Sequence, residues 1–465
     1  MDNNSKHIVV VGAGISGLCT AYWLKKRGFN VTVFETDSEP GGTMKTIRMD
    51  GWLIETGPNS ALETTPLLRE LFDQLEITDQ RLYADDAASK RFIVRNGMLN
   101  VLPMGLGSFL STRLWSVGGK LRLLKEPFIK KALKEESIAE FVTRRLGKEF
   151  LDYAINPFVA GVYAGSPEKL SLRFAFPKLY ALEANYGSLM RGTIKSRGER
   201  KKRKEIAKDR ARLFSFSNGM QTLPNRLAEV LGDSLRLSTQ VEHIIPVRAG
   251  RYPKYTISVT HDTMRTSVEA DAVVLSTQAY AASKIIRPID PEMASMLDAI
   301  YYPPVAEIFL GFKHDQIRRP LDGFGFLVPE VEKKNILGCI WSSSLFPDRA
   351  PVGHVALTSF VGGSRQPDLV NFTDAKLMEI VMDDLRSLMG IDGMPTLVKI
   401  VRWNSAIPQY NVGYGMTIKA MERFEQNYRG TFLCSNYRGG IAVGDCVMNA
   451  EKTVQTVTEY LAGTS

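Results

Sequence analysis

Six residues near the start of the chain, Gly12, Gly14, Gly17, Glu35, Gly41 and Gly42, have the types and spacing needed to hold a dinucleotide. They lie in HIVVVGAGISGLCTAYWLKKRGFNVTVFETDSEPGG, residues 7 to 42. Gly12, Gly14 and Gly17 provide a tight turn, close backbone approach to a pyrophosphate, and close helix-to-strand packing. A carboxylate at position 35 can accept hydrogen bonds from the adenosine ribose hydroxyls and repels a 2′-phosphate. Residues 41 and 42 lack side chains, so a ligand longer than a nicotinamide dinucleotide can thread past them. That points to FAD.

These residues need elements to position them. The apolar, β-branched run His7 to Val11 reads as a strand buried on both faces. A helix from Ile15 to Lys26 directs its N-terminal N–H groups at the phosphates, Gly28 ends it, and Asn30 to Phe34 forms the next strand with Glu35 at its carboxyl end. At the far end of the chain, GTFLCSNYRGGIAVGDCVMNAEKTVQTVTEYL again reads as strand, glycine turn and helix, with Ile441 to Asp445 just before the helical pattern. If this second helix N-terminus closes on the first motif, its positive dipole end can face the isoalloxazine N1/C2=O edge, where charge accumulates on reduction.

At 465 residues, two or three domains are expected. The leading MDNNSKH is polar and carries no visible signal or transit peptide, and no apolar run is long enough to span a bilayer. A cytoplasmic location is expected. Cys19, Cys339, Cys434 and Cys446 and the five histidines are scattered, without metal-ligand spacing, and no Gly-x-Ser-x-Gly nucleophile occurs. Neither a metal nor a triad is expected. The net charge of +9 is concentrated: residues 195 to 212 hold ten basic and three acidic residues. Because no aromatic residues interleave this run, it reads as a solvated loop between domains rather than a nucleic-acid contact.

The stretch LPMGLGSFLSTRLWSVGGKLRLLKEPFIKKALKEES mixes apolar and basic residues, which suits a helix lying in a membrane interface and equally an amphipathic helix packed on its own domain. From Leu213 the pattern turns to strands, with an antiparallel sheet returning to a buried strand at Ala272 to Leu275. A separate sheet is expected from AEIFLGF, GFGFLVP, NILGCIWSS and VALTSFVGG, followed by a helix near Asp374 to Met389.

Taken together, VTVFETDSEPGG, ETGPNS, KRFIVRNG, NPFVAGVYAGSPEKLSL, FSFSNGMQTL, PLDGFGFLVP, SSSLFPDRAP, TSFVGGSR and SNYRGGIAVGD resemble the flavin amine oxidase superfamily and, within it, the oxygen-dependent, FAD-containing protoporphyrinogen oxidases. The likeness covers nearly the whole chain. It implies an α/β fold: a discontinuous Rossmann-like FAD-binding domain (1–85, 213–290 and 405–465), a mixed β-sheet substrate domain (291–404) and a helical membrane-binding region with substrate-site contributions (86–212). FAD contacts carry over to Gly12, Gly14, Gly17, Glu35, Gly42, Val241, Trp403, Val443 and Gly444. Arg91 takes the role of pairing with a substrate propionate, Leu327, Ile340 and Phe360 sandwich the macrocycle, and Gly161 and Asn59 stand at the reacting centre. The sequence departs from the family pattern at Thr43, where the family has Arg or Lys directly after the glycine pair. Lys45 follows two residues later, and Glu39 is also unusual.

The implied reaction removes electrons in pairs from a porphyrinogen to flavin N5, with molecular oxygen reoxidising the cofactor to give hydrogen peroxide. The motifs contain no catalytic His and no paired carboxylates, so no general base is named. Implied partners are the porphyrinogen, oxygen, a peripheral surface on the cytoplasmic face of a membrane, the next haem-pathway enzyme ferrochelatase and a second copy of the chain, with no nucleic acid. The alternatives are coproporphyrinogen III oxidation, a desaturase or amine oxidase of the same superfamily, and a colourless regulator of prenylated GTPases with a related fold.

Overall fold

The computed structural model describes residues 5–202, 211–247 and 253–463. Five strands form a parallel sheet in the order Leu235–Arg236, Asn30–Phe34, His7–Val11, Ala272–Leu275 and Thr431–Leu433. Its central strands are apolar throughout because both faces are covered: Ile8, Val10 and Val274 lie in an apolar cluster with the helices Ile15–Lys26 and Val443–Ala462, while Val9, Val11 and Val273 lie in another that includes Val241, Ile244, Tyr255 and Ile257. The sheet draws on the start, middle and end of the sequence. The Ile15–Lys26, Asn30–Phe34 and Ala272–Leu275 readings hold. An antiparallel meander, Thr239–Pro246, Tyr255–His261 and Met264–Ala270, leads into the returning strand.

A second, seven-stranded sheet has the order Leu397–Trp403, Val305–Lys313, His354–Gly362, Ile336–Ile340, Gly325–Leu327, Arg91–Arg95 and Met98–Val101. Its last pair comes from the start of the 86–212 stretch, where the alternation of RFIVR and MLNV favours strands. The pleat sends successive side chains to opposite faces. One face (Phe92, Phe326, Cys339, Val361, Ile308) packs with Leu377, Val381 and Leu385 of the Asp374–Met389 helix into an apolar core. The other face looks toward the site.

The long amphipathic stretch is three short pieces, Leu106–Ser111, Val117–Arg122 and the 3₁₀ turn Leu123–Phe128, rather than one helix. The chain is extended at Thr112, and Pro127 occupies the last piece. Leu114 and Trp115 are buried, with the Trp115 ring stacked on Phe150 at 4.6 Å. Leu110, Val117, Leu121, Leu124, Phe128 and Leu133 are exposed. The basic run begins as helix rather than loop, since Leu189–Lys202 is helical. Residues 203 to 210 of that run lie outside the described residues. Among the described residues, no helix is long and apolar enough to cross a membrane and no group of three metal-ligating side chains occurs.

Candidate active site

The second glycine pair is held directly against the first glycine turn. Gly41 donates its N–H to the Ala13 carbonyl at 2.9 Å, and a Cβ on Gly42 would stand 3.3 Å from the Gly14 Cα. A Cβ on Gly17 would fall 1.9 Å from the Gly12 carbonyl oxygen, so helix and turn can approach only with glycine there. Both Glu35 carboxylate oxygens accept backbone hydrogen bonds, from Ala13 at 2.6 Å and Asp37 at 2.9 Å, which fixes the acid at the strand end beside the turn. Backbone bonds from Ser238 to Asp37 and Thr239 to Glu35 bring the strand bearing buried Val241 alongside.

The C-terminal helix, Val443–Ala462, packs on the first helix. Arg27 reaches it through the Thr458 hydroxyl at 2.9 Å and Glu451 at 3.6 Å, and the Cys446 thiol lies beside Ser16 at the start of the first helix. Val443 and Gly444 therefore open their helix beside the N-terminal cradle. No side chain caps the first turn of the Ile15–Lys26 helix, and at the start of the other only the Ala442 N–H is taken, by Asp445 Oδ2 at 3.4 Å, so both retain N–H groups for an anion. The buried Ser276 hydroxyl, packed against Gly12 and Gly17, has no partner. A dinucleotide pyrophosphate fits this set of free donors.

The residues expected to meet the substrate gather on one face of the seven-stranded sheet. Register links Arg91 to Gly325 and on to Ile340 and Thr358, while Leu327 pairs with Gly338, Gly338 with Phe360, and Phe360 with Glu307. Trp403, on the outer strand, faces the same way opposite Val305 and donates its indole N–H to the Thr56 carbonyl at 2.7 Å. Against this face lies the helix Asn156–Tyr163, entered through a π-helical turn, Leu151–Ile155. A Cβ on Gly161 would sit 2.4 Å from Leu327 Cδ2, and Phe360 packs with Ala160 and Ala164. Arg91 stands at the far end of the face, its guanidinium 5.5 Å from the Phe324 ring centre. More than a third of Arg91 is accessible, yet the surrounding chain desolvates the guanidinium enough to lower its pKa, and no carboxylate within the described residues pairs with it.

Comparison with known proteins is consistent along the whole chain. Residues 15–458 match the family model for flavin containing amine oxidoreductases. The chain belongs to that family. Protoporphyrinogen oxidase 2 of Arabidopsis thaliana is 34% identical over 486 residues, 99% of this chain and 96% of the plant protein. Coproporphyrinogen III oxidase of Bacillus subtilis is 29% identical, covering 99% and 100%. Among solved structures, a protein from Exiguobacterium superposes with a TM-score of 0.81 at 26% identity, covering 97% and 98% of the two chains. As a flavin-containing amine oxidoreductase the chain is an FAD-dependent enzyme, and the two helix starts, the glycine turn and Glu35 are the parts that fit the dinucleotide.

In this amine oxidoreductase the missing cation at position 43 has a structural counterpart. Lys45 is engaged by Asp37 and Glu39, each at 3.2 Å, so the unusual acid and the displaced lysine answer one another. Gly57 is pressed against the Thr43 carbonyl, where a Cβ would come within 1.9 Å, which ties the ETGPNS loop to the second glycine pair.

Asn59 of that loop leads to a feature the motif reading missed. Its amide Nδ2 donates to Glu307 Oε1 at 2.8 Å and to the Gly57 carbonyl at 3.1 Å. Glu307 and Glu55 are both buried, and their charges interact. Glu55 accepts from the Thr46 hydroxyl at 2.7 Å and the Met220 N–H at 2.8 Å. Burial pushes the Glu55 carboxyl up to about 7, and burial reinforced by Glu55 pushes Glu307 up to about 8. Paired carboxyl groups do exist, in strands far apart in sequence. The signal was a lone acid inside each apolar strand, WLIE and VAEIFLGF. Asn59, Ile340, Thr358 and Glu55 share a cavity of about 10 Å³, room for about one water.

Proposed function

We propose that this enzyme oxidises protoporphyrinogen IX to protoporphyrin IX with molecular oxygen as the final electron acceptor. The observation that carries the reading is the single sheet face on which an unpaired Arg91 guanidinium ends a row of apolar side chains, Leu327, Ile340 and Phe360, facing Gly161. A planar guanidinium fork suits a propionate carboxylate, which it grips with two parallel hydrogen bonds. The apolar row suits a flat macrocycle and keeps water from the reacting carbon. Bound FAD supplies two-electron acceptance and reoxidation by oxygen to hydrogen peroxide. This chain's residues bind, orient and dry the substrate.

Full-length likeness to plant protoporphyrinogen oxidases, at 33 to 36% identity, supports this substrate over coproporphyrinogen III, whose oxidases match at 29 and 27%. Direct comparison of turnover on the two porphyrinogens is the test. Faster oxidation of coproporphyrinogen III would reverse the assignment. On this reading the chain divides into three FAD segments (1–85, 213–290 and 405–465), a substrate sheet (291–404) and the 86–212 region. The exposed Leu110, Val117, Leu121, Leu124, Phe128 and Leu133, interspersed with lysines, support a peripheral membrane contact on the cytoplasmic side. Co-sedimentation with anionic vesicles would detect it.

A further inference from the structure

Glu307 is the only charged side chain in the buried run Val305 to Phe312, on the second strand of the seven-stranded sheet. Its side chain shares the face of Phe360, its cross-strand partner, and lies one pleat from the Val305–Trp403 pair. It thus stands between a proposed substrate contact and a proposed cofactor contact. Asn59 is its hydrogen-bond donor, at 2.8 Å, and among the described residues no lysine or arginine pairs with it. A buried carboxyl held by one neutral donor adds nothing that an apolar residue would not supply to the packing. Its position at the candidate reaction centre calls for a chemical role.

We infer that Glu307 receives the proton lost in each two-electron step of porphyrinogen oxidation, from a ring N–H in two of the three steps and from a meso carbon in the third, with Asn59 as the residue that positions it. The inference rests on the functional reading above. In one step a pyrrole N–H bond breaks, its electron pair staying on the ring and its proton passing to the Glu307 carboxylate. A C–H bond of the macrocycle breaks in the same step, its hydrogen leaving with the electron pair to the bound cofactor, and the ring gains a double bond. Hydride and proton together reduce one oxygen molecule to hydrogen peroxide, which returns Glu307 to the carboxylate. The neighbouring cavity, lined by Asn59 and Glu55, has room for about one water.

The groups around the pair agree with this role. Glu55 faces Glu307 and raises its proton affinity, while Arg349 and Arg48 act on Glu55 in the opposite sense. A carboxyl titrating near 8 can both take and release a proton at the pH of turnover.

The test compares FAD-loaded wild type with Glu307→Gln and Glu307→Asp. Anaerobic bleaching by protoporphyrinogen IX should slow about 100- to 1,000-fold in Glu307→Gln at unchanged flavin content, the range for loss of a general base. The wild-type rate should fall as pH drops below about 8. That limb should vanish in the Gln variant and persist, shifted, in the Asp variant. Infrared difference spectra should show a protonated-carboxyl signal growing on anaerobic substrate addition to wild type and absent from Glu307→Gln. Glutamine can still accept the Asn59 hydrogen bond, so a structural role predicts wild-type bleaching with a wild-type pH profile, and that result overturns the inference. If wild type itself fails to bleach, the functional reading falls first and this inference with it. If the Gln variant does not fold, the Asp profile and the wild-type infrared signal decide.

Discussion

The proposed cofactor cradle and the proposed substrate wall are built from different materials. The cradle is backbone: glycines pressed together at Gly14, Gly17, Gly41 and Gly42, and two helix starts, the first without a side-chain cap and the second capped at Ala442 alone, by Asp445. The wall is side chain: Arg91, Leu327, Ile340, Phe360 and Glu307 projecting from one face of a sheet whose other face is sealed against a helix. Backbone recognition tolerates no added atoms and is indifferent to most side chains nearby. Side-chain recognition can be altered one residue at a time without disturbing its frame.

That contrast breaks most visibly at Gly17. A valine there would drive its Cβ into the Gly12 carbonyl, so Gly17→Val should yield insoluble or colourless protein, read from the flavin-to-protein absorbance ratio. A stoichiometrically yellow Gly17→Val preparation would erase the distinction. In the wall, Arg91→Ala should keep the flavin and raise KM for the porphyrinogen about 10- to 100-fold, the loss expected for one charge-assisted bidentate contact. Gly161→Ala pushes a methyl against the mobile end of Leu327, so a smaller drop in kcat/KM, about tenfold, is expected with flavin content intact.

Glu307→Gln also carries a stability signature. The folded-state pKa of about 8 lies above the ordinary carboxyl value, so the folded chain binds more protons than the unfolded one between the two, and stability is lost as pH rises through that window. Calorimetry should therefore find the variant's melting temperature raised by a few degrees at pH 9 and unchanged near pH 4. The smallest effect is expected at Lys45. Its partners Asp37 and Glu39 are more than half exposed, so Lys45→Ala should weaken flavin binding less than about fivefold by titration.

The same contrast explains what was legible in the sequence. Glycine turn, helix, strand and acid are consecutive, so residues 7 to 42 declare the cradle without help from the rest of the chain. The strand and helix limits there and at Asp374–Met389 follow from local periodicity and caps. The carboxyl pair was hidden because Asn59 and Glu307 are 248 positions apart and only sheet register unites them. Residues 104 to 134 misled for another reason. Their composition fits an amphipathic helix, but tertiary contacts break it: a Cβ on Gly119 would collide with the Glu149 carboxylate that holds Ser116.

The order of strands in the parallel sheet has a bearing on how the enzyme is made. Thr431–Leu433 is one of its two outer members and Val443–Ala462 is part of the proposed cofactor cradle, so a ribosome must release both before flavin can be captured there. Acquisition of yellow colour then reports that the Val443–Ala462 helix has been made and docked, and chains cut short within that helix should be unable to retain the cofactor.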